Sequence, residues 1–419
     1  MIFGRAVSRE TPRRRGDGAG SALPARSARL CYGPVMFDDH VRARLADLDA
    51  ALLRRAAWVV RDRGDGLAEE SGRVRILLAS NDYLGLARHP DLARAIAEAA
   101  TVHGAGAGAA RLITGTGPSH RQAEAAAAAF VGAEAALLFS SGYLANLGAL
   151  PALVGPGDLI VSDALNHASL IDGCRLSGAR VVVTPHRDAE AVRAALHEHR
   201  AAHRAALVVT EALFSMDATE APLRALRALC DEYRAGLLVD EAHALGVLGP
   251  EGRGLSREAG IEADVLIGTL GKAMGLMGAF VAGRAETIDL VLNRGRSFVF
   301  STGLSPAIAG AVPTAIALAT AAETRRADLA LATSRLAQGL ATLGYDVRPG
   351  LGPILPVWLG APDAATGLAE RLRERDVLVR GIRPPTVPAG TSRLRVVPSA
   401  LTRPELVERA LVAFAEVAS

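Results

Sequence analysis

The sequence predicts an α/β fold with a mostly parallel central sheet flanked by helices, followed by a smaller α+β domain at the C-terminal end. The first observation is size, since 419 residues with 50% hydrophobic and 22% charged residues suffice for two or three domain-equivalents with a sizeable core. The second is an alternation of short apolar runs with helical segments, which is typical of parallel sheets. The third is that polar and ionisable residues directly follow most of these runs.

Composition narrows the classes of partner and compartment. Lys272 is the only lysine among 47 basic residues, and the net charge of +3 comes from arginines scattered among acids, without a long basic stripe. Nucleic acid is therefore not an expected partner. Cys31, Cys174 and Cys230 are widely spaced and form no C-x-x-C pair, which favours a reducing cytoplasm.

The first 35 residues differ from the rest of the chain. They contain seven arginines and only two acids, Glu10 and Asp17, and no apolar segment typical of a secretory signal. We predict that residues 1–35 are a disordered or mis-assigned extension and that Met36 is the functional start. Farther on, the uncharged stretch Ser297–Ala322 is interrupted by prolines and glycines, which predicts a buried helix after a loop and no membrane span.

An N-terminal arm, residues 36–84, comes next in the predicted order. Its apolar residues have helical spacing from Phe37 to Arg63, and a strand-like run from Arg75 ends in polar residues. The large domain follows as residues 85–325. Its strand candidates are Ala136 to Phe139, Leu159 to Val161, Arg180 to Thr184, Ala206 to Thr210, Gly236 to Val239 and Val265 to Gly268.

The smaller C-terminal domain is predicted for residues 326–419. Leucine-rich helical segments surround a strand near Leu394 to Val397. In parallel sheets the ligand lies beyond the carboxyl ends of the strands, so the residues after each run of the large domain are the candidate site. They are Ser140 to Gly142, Asp163 and His167, Glu211 and Ser215, Asp240 and His243, and Thr269 and Lys272.

Lys272 lies in Gly-Thr-Leu-Gly-Lys-Ala-Met-Gly, directly after an apolar run. A partly desolvated lysine has a lowered pKa, and its amine can then attack a carbonyl to form a Schiff base. A solvated surface lysine is the ordinary alternative. The only lysine of the chain, at a glycine-flanked strand end, favours the catalytic interpretation.

Asp240, His243 and His167 follow two other apolar runs. An aspartate at a strand end can keep a pyridine nitrogen protonated, although it can equally cap a helix. His243 could donate to a phenolic oxygen and His167 could stack on a flat ring, while structural roles are the alternative for both. No histidine or cysteine spacing typical of a metal site occurs, so no metal is expected.

The stretch from Ser140 to Asn146 follows a strand and opens a helix. Free backbone N–H groups at a helix N-terminus, together with the helix dipole, attract phosphate. The stretch lacks the spacing of a dinucleotide fingerprint or a P-loop, so a phosphate of the mononucleotide type is expected.

These motifs, in this order, resemble those of the α-oxoamine synthases, a family of fold-type-I transferases that depend on pyridoxal 5'-phosphate (PLP). The resemblance extends from about Phe37 to the C-terminus. It is carried by Asn81–Leu86, Asn166–Leu170, Thr210–Asp217, Asp240–His243, Gly271–Lys272 and Ile382–Arg395. The last stretch is most similar to members that condense L-alanine with a pimeloyl thioester.

The resemblance implies a PLP-dependent acyltransferase with assigned residues. Lys272 would form the Schiff base and remove the Cα proton, Asp240 would pair with the pyridinium nitrogen, and His167 would stack on the ring. The other implied cofactor contacts are Ser141, Gly142, Tyr143 and Thr269 at the phosphate, Ser215 and His243 at the phenolic oxygen, and Thr302 from a second subunit. The implied substrate contacts are Asn81 and Arg395 at the carboxylate, Thr386 in the pocket, and Arg61 at the acyl substrate.

The resemblance also implies partners. They are L-alanine, pimeloyl-CoA or pimeloyl-acyl carrier protein, and a second copy of the chain in a homodimer with shared active sites; no membrane is expected. Two loops depart from the family pattern, Gly106–Arg111 by losing its serines and Ala244–Leu245 by replacing Gly-Thr. The alternatives are a family member using glycine or serine, a PLP-dependent aminotransferase, and a non-catalytic PLP-binding regulator, for which no helix-turn-helix is recognisable.

Overall fold

The computed structural model describes residues 36–51, 53–348 and 350–418, and the expectations for residues 1–35 lie outside this part. The described chain consists of two units, one ending at Arg54 and one beginning at Arg55. The first unit contains helix α1, Phe37–Ala50, none of whose residues is buried. The predicted helix up to Arg63 is wrong beyond Ala50, because residues 60–62 form a strand in the second unit. Val59 and Val60 are β-branched, which favours that strand.

The strands of the second unit are short. They are β1 Val60–Asp62, β2 Leu67–Glu70, β3 Arg73–Leu77, β4 Ala135–Phe139, β5 Leu159–Asp163, β6 Arg180–Thr184, β7 Ala206–Glu211, β8 Gly236–Asp240, β9 Val265–Thr269, β10 Ala279–Gly283, β11 Leu355–Gly360, β12 Val377–Leu378, β13 Arg380–Ile382 and β14 Ser392–Val396.

Helices connect most of these strands. They are α2 Pro90–His103, α3 Pro118–Val131, α4 Gly142–Leu153, α5 Ala168–Ser177, α6 Ala189–His199, α7 Leu223–Tyr233, α8 Leu255–Ala259, α9 Ala285–Arg294, α10 Arg296–Val299, α11 Pro306–Thr320, α12 Glu323–Thr342, α13 Pro362–Glu374 and α14 Pro404–Val417.

The large sheet has the order β4-β10-β9-β8-β7-β5-β6. Strands β5 to β9 pair in parallel, which confirms the predicted fold class, and all six strand candidates are found. Sequence reasoning missed β10, which pairs antiparallel with β9 and β4. Only nine residues separate β9 from β10, too few for the helical crossover that a parallel connection needs.

Alternate residues of the parallel strands enter two different cores. Ile160 and Leu238 pack in the cluster that includes α4 and α5, whereas their neighbours Val161 and Val239 pack in the cluster that includes α6 and α7. This period of two is the geometry of a strand whose side chains point to opposite faces of a sheet. Because the sheet is covered on both faces, its carboxyl edge is where polar side chains can meet.

Two small sheets, β1-β2-β3-β12 and β11-β14-β13, form around another core. Leu336 of α12, Leu372 of α13, Phe414 of α14 and Leu394 of β14 share that core with Ile76 of β3. The strand of the predicted arm therefore pairs in parallel with a strand of the C-terminal part. The predicted domain boundaries after residues 84 and 325 stay predictions.

Helix α11 is the buried helix predicted after the loop at Ser301. Most of its residues are buried, and it packs against α2 and α3 in the core. In the part of the chain that the structure describes, no single helix is long and apolar enough to cross a membrane. By length and composition, α11 and α12 pass that test only together, as a pair bent by 65°.

Candidate active site

Lys272 lies in the short loop between β9 and β10, where a turn is closed by the Gly275 N–H donating to its carbonyl. The side chain is partly buried, and this burial is the main reason why the pKa of its amine is lowered. The negative charges of Asp240 and Glu211 oppose that shift, and the positive charge of Arg395 adds to it. Lys272 therefore lies within electrostatic reach of three groups from other elements, in the environment that makes a lysine nucleophilic.

Asp240 ends β8 and is buried. Its Oδ2 accepts a hydrogen bond of 2.8 Å from Nδ2 of Asn146, and its Oδ1 accepts one of 3.0 Å from the Ala242 N–H. These two donors fix the position of the carboxylate. Sequence reasoning assigned no role to Asn146, although it lies one turn inside the helix that the Ser140–Asn146 stretch opens.

His243 is buried beside Tyr83, whose hydroxyl lies 2.6 Å from Nδ1 of the imidazole. Burial, followed by the positive charges of Lys272 and Arg395, lowers the pKa of His243 well below 6.5. The ring is therefore neutral at neutral pH and carries one N–H to donate. Tyr83 was missed because an aromatic residue in an apolar segment is typical of a core position.

Arg395 reaches this group from β14 of the small sheet and is itself buried. Its Nη1 donates to Oδ1 of Asn81 over 2.9 Å, its Nε donates to the carbonyl of Ser215 over 2.8 Å, and its Nη2 lies 3.3 Å from the Tyr83 hydroxyl. A guanidinium held in this way presents a fork suited to a carboxylate. We call Asn81, Asp240, His243, Lys272 and Arg395 the central cluster.

His167 is the N-cap residue of α5, and its Nδ1 lies 2.8 Å from the Ser169 hydroxyl. The residue is exposed at the surface of the described chain, yet desolvation by the surrounding protein still lowers the pKa of its imidazole. The charges of Asp240 and Lys272 also act on the ring, which places it beside the central cluster. An exposed, neutral ring at this position can stack on a flat ligand.

The predicted phosphate residues meet at the start of α4. Ser141 is the N-cap and accepts the Leu144 N–H, while the N–H groups of Gly142 and Tyr143 have no acceptor within the helix. A Cβ placed on Gly142 would lie 4.0 Å from Oγ1 of Thr269, so the end of β9 and the start of α4 approach closely. The Tyr143 side chain is exposed and its hydroxyl bonds to Asp172.

Three of the other predicted site residues, Arg61, Thr302 and Thr386, are exposed, and we call them the outer set. Arg61 is exposed on β1 and forms an ion pair of 3.5 Å with Glu69. Thr386 is exposed and accepts a hydrogen bond of 3.1 Å from Arg55, and exposed Thr302 forms an isolated bridge with Ala110. In the described ranges, no hydrogen bond or ion pair joins their side chains to the central cluster.

The two loops that depart from the family pattern are tied to the core. Arg111 is buried, and it donates to Oε1 of Glu124 over 2.7 Å and to the carbonyl of Leu138 over 3.3 Å. Ala244 and Leu245 are buried in apolar clusters. The Ala244–Leu245 replacement therefore acts through packing. Arg111 is retained from the family pattern, and its loop lies next to Thr302 through the bridge at Ala110.

The chemical groups that the site brings together fit PLP. The Lys272 amine, the fixed Asp240 carboxylate and the N-terminus of α4 lie at separate points along the carboxyl edge of the large sheet. In that order, they suit the aldehyde, the pyridine nitrogen and the phosphate of PLP. Two buried oxygens beside Asp240, Oε1 of Glu211 and Oδ1 of Asn146, have no hydrogen-bond partner within the described residues. Across those residues, no group of three or more metal-binding side chains occurs.

Comparisons with known proteins agree with this geometry. Residues 73–414 match the model of the family "Aminotransferase class I and II". A protein of Anaeromyxobacter dehalogenans named 8-amino-7-oxononanoate synthase is 49% identical over 381 residues, covering 90% of this chain and 95% of its own. A protein of Geobacter sulfurreducens with the same name is 46% identical, covering 88% of this chain and 95% of its own.

Solved structures show the same architecture. Serine palmitoyltransferase of Sphingomonas wittichii superposes with a TM-score of 0.85 at 34% identity, covering 91% of this chain and 96% of its own. The 8-amino-7-oxononanoate synthase of Francisella tularensis superposes with a TM-score of 0.69 at 26% identity, covering 82% and 97%. The chain therefore belongs to the class I and II aminotransferase family of fold-type-I PLP enzymes and, within it, to the α-oxoamine synthases.

Proposed function

We propose that the chain catalyses the decarboxylating condensation of L-alanine with a pimeloyl thioester, giving 8-amino-7-oxononanoate, CO₂ and a free thiol carrier in biotin biosynthesis. The observation that carries this proposal is that Arg395, which bonds to Asn81 and to the Tyr83 hydroxyl beside His243, lies within electrostatic reach of Lys272. Relatives at 46% and 49% identity that carry the name 8-amino-7-oxononanoate synthase support the choice of substrates.

The chain's own residues perform the proton chemistry. PLP bound at this site supplies an electron sink for the carbanion that forms at Cα of the amino acid. Lys272 accepts the Cα proton, because its lowered pKa leaves a fraction of the amine neutral. Asp240, fixed by Asn146 and the Ala242 N–H, would hold the proton on the ring nitrogen.

The carboxylate pair determines which bond reacts. Arg395 and Asn81 hold the alanine carboxylate, which fixes the direction of the Cα–H bond relative to Lys272. After proton removal, Cα bonds to the thioester carbonyl carbon and the thiol leaves. The carboxylate is then lost as CO₂, and a proton returns to Cα from the Lys272 ammonium.

A homodimer with shared sites is part of the proposal. Leu112, Ile113 and Phe300 are exposed apolar side chains on the two segments that the Ala110–Thr302 bridge joins. Exposed apolar residues grouped in this way are typical of a protein interface. In this arrangement, Thr302 of one copy would reach the phosphate end of the other copy's site.

The compartment and the thiol carrier are also proposed. Cys174 and Cys230 are free and buried, as expected for a chain that works in a reducing cytoplasm. Coenzyme A and acyl carrier protein are both acidic carriers, and a chain rich in arginine suits either of them.

A second candidate is condensation of serine with a long-chain acyl thioester, since the superposition on serine palmitoyltransferase has a TM-score of 0.85. Sequence identity favours the first candidate, with 49% against 34%. The test is to assay alanine, glycine and serine against pimeloyl, acetyl, succinyl and palmitoyl thioesters. CO₂ and thiol release are measured, and the product is identified by mass.

We expect turnover to be highest with alanine and a pimeloyl thioester. Highest turnover with serine and a palmitoyl thioester would reassign the substrates. Formation of pyridoxamine phosphate from alanine without a thioester would identify an aminotransferase.

A further inference from the structure

Glu211 is a buried carboxyl group that the mechanism above does not use. It ends β7 and pairs in register with Asp240 on β8, so both side chains leave the same face of neighbouring strands. Its exposed fraction is 3%, and its Oε1 has no hydrogen-bond partner in the described chain. A buried oxygen without a partner beside a reactive amine indicates a function beyond packing.

The surroundings of Glu211 tie together two loops of the site. The backbone N–H groups of His167 and Ser215 both stabilise the anionic form of its carboxyl group. Its own N–H donates to Oδ1 of Asn166 over 3.1 Å, and Nδ2 of Asn166 donates to the Val209 carbonyl over 2.8 Å. The carboxyl group therefore lies between the loop that presents His167 and the loop that presents Ser215.

The charges that face Glu211 come from two other strands. Burial, and then the negative charge of Asp240 on β8, raise the pKa of Glu211 to about 8, while the positive charge of Lys272 after β9 opposes the shift. The neighbouring His167 imidazole, whose pKa is lowered, is uncharged at neutral pH. The charges of Glu211 and Lys272 each act on the pKa of the other group, so a proton lost by one changes the field on the other.

Glu241 shows that this fold can bury a carboxyl group in a different way. Its Oε2 accepts the Leu255 N–H over 3.0 Å, and its Oε1 accepts the Ser256 N–H over 2.6 Å, at the start of α8. Both oxygens have partners, and burial and hydrogen bonds are the main causes that act on its pKa. Glu241 is therefore a matched control, since it is buried on the adjacent strand end and differs in that both of its carboxylate oxygens are hydrogen-bonded.

We propose that Glu211 is a positioning residue for Lys272. The Glu211 carboxyl group, held between the His167 and Ser215 loops, exchanges its proton in step with the Lys272 amine and so sets the pH at which the amine becomes neutral. This inference rests on the proposed function only in that Lys272 is taken as the reactive amine. Glu211 touches neither substrate nor the reacting atoms in this scheme.

The test uses the fact that the chain has one lysine. Full-length protein is labelled with ¹³C-lysine and freed of PLP by dialysis, and the ¹³Cε shift of the single lysine is followed with pH. In the wild type we expect a curve that departs from one-proton titration, with an inflection near the pKa of Glu211, about 8. A one-proton curve would overturn the proposal without any variant.

Two variants then test whether Glu211 causes the inflection in the Lys272 titration curve. Glu211→Gln keeps the size of the side chain and removes its charge, so the pKa of Lys272 should fall by about 0.5 unit or more and the curve should become simple. Glu241→Gln should leave the curve unchanged. An unchanged curve in Glu211→Gln, or an equal shift in Glu241→Gln, contradicts the proposal.

The holoenzyme gives an independent reading. The pH dependence of the visible absorbance of bound PLP should shift to lower pH in Glu211→Gln and should not shift in Glu241→Gln. None of these titrations contains an acyl thioester, so they report on Glu211 even if the product assay reassigns the substrates. Conversely, normal product formation with no shift in either titration would overturn the role of Glu211 alone.

Discussion

The central cluster and the outer set differ in what holds their side chains in place. Asp240 is buried and fixed by two hydrogen bonds, and Arg395 is buried with donors committed to Asn81 and Ser215. Arg61, in contrast, is exposed and makes one ion pair, with Glu69. Residues fixed by neighbouring strands therefore have one position available for chemistry, whereas exposed residues take a defined role only when a substrate or a second subunit contacts them.

The largest effect that this comparison predicts is at Lys272. Lys272→Ala should lower turnover by about 10⁴-fold or more, because it removes the nucleophile and the base together. The purified variant should also lack visible absorbance, measured beside CO₂ release. Lys272→Arg, which keeps the charge, should be equally inactive. An active Lys272→Ala enzyme would place the chemistry outside the central cluster.

Asp240→Asn should have the next largest effect. PLP should still bind, while turnover falls by roughly 10²- to 10³-fold, as expected when a fixed charge that stabilises the transition state is lost. The measurement is exchange of the alanine Cα proton with solvent deuterium, followed by NMR. Asn146→Ala, which removes one donor to the carboxylate, should cause a smaller loss. Normal exchange in Asp240→Asn would contradict the assigned role.

Arg395→Ala tests the carboxylate side of the central cluster. Loss of a charge-assisted hydrogen bond costs about 1.5–3 kcal/mol, so the KM for alanine should rise roughly 10- to 100-fold. The KM for the acyl thioester should change less. A rise confined to the acyl thioester would mean that Arg395 binds the other substrate.

The pH dependence of stability sharpens the contrast between buried and exposed groups. Glu211 keeps its proton up to about pH 8 when folded and only to about 4.5 when unfolded, so rising pH favours the unfolded chain between these values. Between pH 5 and 8, the Tm of the PLP-free wild type should therefore fall relative to that of Glu211→Gln. Thermal unfolding at several pH values measures this difference. Tm curves that stay parallel would show that Glu211 is charged in the folded state at pH 5.

The smallest effects are expected in the outer set. Arg61→Ala removes an exposed ion pair worth about 1 kcal/mol or less, and it should change the KM for the acyl thioester by less than about threefold. Steady-state kinetics with the alanine concentration held saturating measures this effect. A change of more than tenfold would show that Arg61 contacts the acyl substrate, as the sequence resemblance implies.

Much of the fold could be predicted from the sequence, because the register between paired strands fixes where their ends lie. Asp240, Thr269 and Lys272 come after apolar runs whose parallel pairing brings their carboxyl ends to one edge. What was missed depends on contacts distant in sequence. The contact of Tyr83 with His243 spans 160 residues, and Asn146 contacts Asp240 across 94 residues.

The local sequence pattern also gave a wrong prediction for one segment and missed a strand in another. The apolar spacing of the arm continues past Ala50, but pairing of Val60 with Glu70 takes that segment into a sheet. Strand β10 was overlooked because its run Ala-Phe-Val-Ala-Gly follows the Lys272 loop without an intervening helix. In both places, pairing with another strand decides the structure, and a single segment of sequence does not contain that partner.

The most direct test of the account is to locate PLP on the chain. The purified protein is incubated with PLP, reduced with borohydride, digested, and its peptides are analysed by mass. We expect one phosphopyridoxyl group, attached to the peptide that contains Lys272, and none in Lys272→Ala. A colourless protein without added mass, or a label on any other amine, would contradict the assignment of this strand edge as the active site.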